Sequence, residues 1–195
     1  MSRRNARVES HSHKSRLDVQ KMEQGAKLLL QGMGVDLEDS NFRGTPARVA
    51  KMFKELLTPA VNNWTTFPSP TTGMIVLRNH RVHAVCPHHL LPVQLRAYVA
   101  YIPRRQVLGL SKLARVVEQQ LTTPILQEEL GDRTADSLEE RLSPQGVAVI
   151  LAGEHSCMQA RGVETHGDVV TSALRGLFLH SPTARAEFWH IVGRP

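Results

Sequence analysis

The sequence predicts an α+β protein in which a ββααββ core follows a short helical extension. Three observations carry this expectation. Four segments of strand length, 74–85, 93–102, 147–151 and 169–178, are rich in β-branched and aromatic residues. Between the second and third of them lie two segments of helical character. A chain of 195 residues with 41% hydrophobic composition is also long enough to bury a real core in one domain.

The elements follow in chain order. From about Ser15 to Gly34, Leu17, Met22, Ala26, Leu29, Leu30 and Met33 recur at helical spacing, and Gly34 is a natural stop. Thr45-Pro46 reads as the N-cap and first residue of a second helix. Its apolar stripe, Val49, Met52, Phe53, Leu56 and Leu57, runs out before Pro59. The Pro-, Thr- and Asn-rich stretch that follows is a loop. Strands over Met74–Val85 and Val93–Ile102 then flank Pro87–Pro92. Gly109-Leu110-Ser111 opens a helix carrying Leu113, Val116, Val117 and Leu121, and a second helix spans roughly Pro124–Arg141 with a break near Gly131. Strands over Val147–Leu151 and Val169–Phe178 and a last helix over Pro182–Ile191 complete the pattern. The expected organisation is a basic disordered tail over 1–14, a helical extension over 15–58, a loop over 59–73 and a core domain over 74–195.

Charge and composition exclude several functions. Arg3, Arg4, Arg7, Lys14 and Arg16 against Glu9 leave the tail four of the net six positive charges, so the basicity is mostly terminal. Aromatic residues make up 5% of the chain, and none is interleaved with a basic run as a base-stacking surface requires. A nucleic-acid partner is not expected. No apolar run approaches membrane-spanning length, and the chain opens Met1-Ser2-Arg3-Arg4 without an apolar signal segment. A cytoplasmic protein without a membrane partner and without a disulfide is expected.

The two cysteines carry the chemistry. A lone cysteine in such a domain is usually a buried apolar side chain. Here Cys86 lies in Cys86-Pro87-His88-His89 and Cys157 follows His155-Ser156. In Cys86-x-x-His89 a tight turn can aim both side chains at one ion, and Cys157 is the remaining sulfur. His88 and His155 are then candidates for a fourth ligand or for proton transfer, and spacing leaves both open. Elsewhere Lys112 and Arg115 lie three apart on the first turn of a helix, where a solvated basic face and an anion cradle are both compatible with the spacing. Arg161, four residues beyond Cys157, would fall near the same site. Gln127-Glu128 is a weak pair by itself, although a carboxylate accepting two N–H donors suits a guanine edge.

Taken together the motifs resemble a known family. Cys86-Pro87-His88-His89-Leu90, the run from Gly109 to Glu118, Gln127-Glu128 and the run from His155 to Val163 are similar in order and spacing to GTP cyclohydrolase I. Thr45-Pro46-Ala47-Arg48-Val49-Ala50-Lys51-Met52 and the run from Thr171 to Phe178 extend the match over nearly everything after the tail. The resemblance implies the tunnelling fold, whose antiparallel sheets join into an oligomeric barrel, and a toroidal homodecamer. It implies zinc held by Cys86, His89 and Cys157 with an open position for water, and conversion of GTP to 7,8-dihydroneopterin triphosphate and formate, the first step of pterin and tetrahydrofolate synthesis. Carried over by position, His155 protonates the imidazole nitrogen during ring opening, His88 transfers protons near the ribose, and Ser111 assists the rearrangement. Lys112, Arg115 and Arg161 hold the triphosphate, Arg48 reaches it from a neighbouring subunit, and Gln127 and Glu128 read the guanine.

Three features depart from the family pattern: Pro87 in place of Glu, Glu129 and Gly131 in place of Arg and Thr, and a short 59–74 segment. A sister cyclohydrolase with another pterin product, or one serving modified-purine synthesis, is the alternative enzyme. A zinc-stabilised, non-enzymatic protein would instead close its metal site with four protein ligands.

Overall fold

The core strands alternate strictly between two apolar layers, and this alternation sets the architecture. The computed structural model describes residues 17–193 apart from 60, 62 and 70, so the basic tail lies outside the described residues. The chain forms two compact units, one ending at Lys54 and the other beginning at Glu55.

The first unit is helical. α1 (Val19–Gly32) starts at Asp18, whose carboxylate accepts the Lys21 N–H at 3.0 Å and so satisfies one of the free donors of the first turn. The expected start at Ser15 lies outside the described residues. α2 (Thr45–Leu56) buries Pro46 and Ala50. Thr45 is its first helical residue, with Pro46 in the first turn, where a missing N–H costs nothing.

The second unit is built on a four-stranded antiparallel sheet. A short strand, β1 (Thr66–Pro68), precedes the long hairpin of β2 (Ile75–Val85) and β3 (Pro92–Ile102). Then come β4 (Gln106–Leu108), α3 (Leu110–Glu118), α4 (Gln127–Leu142), β5 (Gly146–His155), the single turn α5 (Ser156–Gln159), β6 (Val169–Gly176), α6 (Leu177–His180) and α7 (Pro182–Val192). The sheet order is β2-β3-β5-β6, which realises the expected ββααββ core. β3 pairs with β5 along its whole usable length, from Val93 opposite His155 to Ile102 opposite Gly146.

Alternate residues of β3 and β5 face opposite layers. Leu95, Val99, Tyr101, Val149 and Leu151 pack under α3 and α4 with Val116, Leu130 and Leu138. Tyr98, Ala100, Ile102, Ala148 and Ile150 face the other way, against Phe178 and Phe188. Burying each such side chain contributes roughly 1.5–3 kcal/mol, so this double layer is the main source of stability.

The structure differs from the sequence expectation at several places. β1 and β4 pair with each other, β1 inside the expected loop and β4 in a stretch given no element; each is three residues long, too short to show a period. α4 is continuous through Gly131, which is buried where a Cβ would make only ordinary contacts with Ala173 and Leu151 at 3.8 Å. Its start moves from Pro124 to Gln127 because the Ile125 N–H is spent on Val85 O at 3.0 Å. β5 runs four residues past Leu151, through a glycine that weakens the strand signal. β6 ends at Gly176, where φ of +56° turns the chain into α6, so Leu177 and Phe178 are helical.

Candidate metal centre

Both long chain reversals at one end of the sheet carry ligands. Cys86 follows β2, and its N–H and C=O close the hairpin, bonding Leu91 O and the Leu90 N–H at 2.9 Å each. Pro87 sits in this turn with no partner required of the N–H it lacks. On the neighbouring strands, His155 ends β5 and Cys157 lies on the α5 turn. Ser156 Oγ donates to Pro92 O at 2.9 Å and ties that turn to the start of β3.

The result is a cluster assembled from residues 71 positions apart: the Cys86 and Cys157 sulfurs stand 3.9 Å from each other. The ligand atoms of Cys86, His89 and Cys157 all lie within 4.8 Å of one another. Two thiolates on a tetrahedral zinc, each bonded at about 2.3 Å, are separated by about 3.8 Å, so the sulfurs already have the spacing that ion requires. Burial and then the neighbouring Cys86 sulfur push the Cys157 thiol above its ordinary pKa. A dication between them would offset both effects. The donor set and its spacing therefore fit zinc.

The ligands line a cleft of about 360 Å³ together with His88, Gln127, Glu128 and His155. His88 and His89 lie edge to face with centroids 6.4 Å apart, so the adjacent histidine does not duplicate the ligand position. Arg161 reaches this cluster, donating from Nη1 to His89 Nε2 at 2.6 Å. Burial holds the His155 pKa below its ordinary value, and the charge of Glu128, in the first turn of α4, opposes that shift in part. Gln127 is 5% exposed and bonded on every polar atom: Nε2 to Leu151 O at 2.9 Å, Val169 O at 2.8 Å and Thr171 Oγ1 at 3.2 Å, and Oε1 to His155 Nε2 at 2.8 Å.

The remaining expected site residues belong to other elements. Ser111, Lys112 and Arg115 lie on α3, which begins just after the Leu108 N–H bonds the Tyr101 hydroxyl at 2.8 Å, next to the far end of β3. The cleft lining reaches Leu95, so seven residue steps of β3, roughly 23 Å at strand rise, separate Ile102 from it, and α3 runs back along the sheet to Glu118, which pairs with His80 at 3.2 Å. Arg48 belongs to the first unit, where its guanidinium bonds Thr45 Oγ1 at 2.6 Å and Asn41 O at 3.0 Å. Sequence reading missed Gly153. A Cβ there would meet Gln127 Oε1 at 2.2 Å, so this glycine makes room for the carboxamide. A glycine inside a strand was the available signal.

The chain is similar to known proteins over nearly its whole described length. The family model described as GTP cyclohydrolase I matches residues 22–193. The GTP cyclohydrolase 1 of Pelotomaculum thermopropionicum is 41% identical over 182 residues, covering 90% of this chain and 97% of that protein. That of Carboxydothermus hydrogenoformans is 39% identical over 184 residues, covering 91% and 96%. Among solved structures, the archaeosine synthase QueF-Like in the apo form aligns with 55% of this chain and 97% of its own at a TM-score of 0.46 and 22% identity. With a matching family model over nearly the whole described chain and curated relatives matched over 96–97% of their own length, the chain belongs to the GTP cyclohydrolase I family.

Proposed function

We propose that this protein converts GTP to 7,8-dihydroneopterin triphosphate and formate at a zinc ion held by Cys86, His89 and Cys157. The observation that carries the reading is the junction, in one cleft of a chain of this family, of a two-sulfur, one-imidazole ligand set with His88, His155 and Glu128. When bound, the zinc supplies Lewis acidity that makes water nucleophilic near neutral pH.

The chain's own residues do the rest. Glu128 accepts the ring N–H and the exocyclic amine of guanine, a two-donor pattern that a carboxylate matches and that distinguishes guanine from adenine. His155, beside it, exchanges the proton at the imidazole nitrogen of the purine as that ring opens, and His88 serves the ribose during the later rearrangement. The apolar walls of the cleft, Val93, Leu95 and Ile125, exclude water and strengthen these contacts.

A triphosphate needs several cations, and Arg161 is the basic residue joined to the ligand cluster among the described contacts. Ser111, Lys112 and Arg115 do not line the cleft, and α3, which carries them, begins beside the far end of β3. We therefore propose that the working site forms between subunits of a homo-oligomer, with α3 of a neighbour facing the cleft and Arg48 contributed from another copy. A toroidal decamer is the assembly the family resemblance implies. No helix among the described residues is long and apolar enough to cross a membrane, and both cysteines are free thiols, in keeping with a cytoplasmic enzyme.

The test is direct. Full-length protein loaded with zinc is incubated with GTP, formate is measured, and the pterin is detected by fluorescence after oxidation. Release of both in equal amounts is expected. Intact GTP after incubation with zinc-loaded, oligomeric protein overturns the reading.

A further inference from the structure

We infer that Gln127 is a positioning residue for His155, which it holds as the Nε2–H tautomer, and that it does not read the purine. Only the kinetic consequences of this rest on the proposed function.

The orientation of the Gln127 carboxamide follows from chemistry. Its nitrogen faces two main-chain carbonyls, Leu151 O on β5 and Val169 O on β6, at 2.9 and 2.8 Å. Carbonyl oxygens only accept, so exchanging the amide N and O would set oxygen against two oxygens in a buried place. The amide oxygen must therefore point the other way, toward His155 Nε2 at 2.8 Å. An amide oxygen only accepts, so Nε2 carries the hydrogen. A neutral imidazole has one N–H, which leaves Nδ1 as the nitrogen with the free lone pair. Any proton exchanged with a substrate passes through Nδ1, and the Nε2 hydrogen stays on the ring throughout.

The same bonds remove Gln127 from base recognition. Both amide hydrogens are taken by the sheet, with Thr171 Oγ1 as a further acceptor at 3.2 Å, and the oxygen is taken by His155. Contact with a guanine edge would break bonds of a side chain that is 5% exposed. Gly153 is part of the device. The carboxamide occupies the space its missing Cβ leaves, since that atom would lie 2.2 Å from Oε1 and 2.7 Å from Leu95 Cδ2. Gln127 thus spans β5 and β6 beneath the imidazole and fixes the ring against the sheet.

Two measurements on the zinc-loaded full chain test this. The first is the ¹⁵N spectrum of histidine-labelled protein at alkaline pH, where the ring is neutral, with His155 assigned by difference from His155→Gln. Nε2 in the protonated range and Nδ1 in the unprotonated range are expected; the reverse tautomer, or an averaged mixture, overturns the inference. This measurement needs neither turnover nor a Gln127 variant that folds. The second compares GTP with ITP, which lacks the 2-amino group, in Gln127→Met and Glu128→Gln. Gln127→Met should retain zinc and the wild-type ratio of KM values for the two nucleotides while kcat falls on the order of 10²-fold. Glu128→Gln should change that ratio. An unchanged kcat in Gln127→Met, or a collapsed GTP:ITP ratio, overturns the inference. A wild-type protein that leaves GTP intact yet shows the Nε2–H ring sinks the proposed reaction and leaves the positioning role standing.

Discussion

The Cys86 and Cys157 sulfurs stand 3.9 Å apart, one at the end of a β-hairpin strand and the other on a single helical turn beyond a different strand. Neither chain reversal alone can hold a tightly bound ion, and each supplies what the other lacks.

Zinc should therefore stabilise the folded chain measurably. Ligand that binds only the native state raises stability by RT ln(1 + [L]/Kd), about 2.7 kcal/mol at a hundredfold excess over Kd. Added zinc is expected to raise the Tm of the chelator-treated wild type and to leave that of Cys157→Ser nearly unchanged. Differential scanning calorimetry with metal analysis checks both, and one zinc per chain in the wild type is the matching stoichiometry.

Complementation should reveal the shared site. Lys112→Ala and Cys157→Ser each remove one half of a site built from two copies. When the two variants assemble together at random, about a quarter of the sites recover both halves. Activity should then appear in the mixed oligomer from two parents that lack it. No recovery in verified mixed assemblies would place Lys112 and Cys157 in the same copy's site or Lys112 outside it.

Tyr101 should leave an alkaline signature. Its hydroxyl accepts the Leu108 N–H at 2.8 Å in a buried place, and burial pushes its pKa above the ordinary 10.0. A folded-state pKa raised above the unfolded one gives stability that is full below pH 10 and is lost as pH rises through the folded value. Tyr101→Phe leaves the Leu108 N–H unpaired and should cost about 1–3 kcal/mol at neutral pH. It should also lack the tyrosine component of the decline above pH 10, read by urea denaturation at fixed protein concentration.

Gly176 should tolerate no side chain. Its φ is +56°, and a Cβ would lie 2.3 Å from Gln145 O, a main-chain atom that accepts the Leu177 N–H at 2.9 Å. With ψ of −129° this is a positive-φ conformation that glycine adopts and residues with a Cβ rarely do, and the clash adds to its cost. Gly176→Ala is expected to lower stability by more than about 2 kcal/mol, measured in the same urea experiment.

The long elements were legible because their signals are periodic. The strands over Met74–Val85 and Val93–Ile102 and the helix after Gly109 show the alternation or 3.6-residue period that burial imposes, and they match β2, β3 and α3 to within two residues at their starts. β1 and β4 were not legible, since three residues carry no period and their order comes from pairing with each other. In the site, the ligand motif was legible as local spacing. The role of Gln127 was not, because its partners at Leu151, Val169 and His155 are brought together by β5–β6 pairing, which no local pattern encodes. The separation of Lys112 from the cleft was hidden for the same reason: α3 follows the far end of β3, a fact of topology.

The register of β3 against β5 makes the candidate ligand set a reporter of that pairing. Val93 opposite His155 is the pairing that brings Cys157 to Cys86, and a one-residue slip would turn Val149 and Leu151 out of their layer and carry the second sulfur away. During synthesis the chain owns only a two-ligand half-site at Cys86 and His89 until residue 157 has emerged and the central strands have found each other. A metal that needs all three ligands would be held tightly only by a chain whose longest-range strand pairing is already correct.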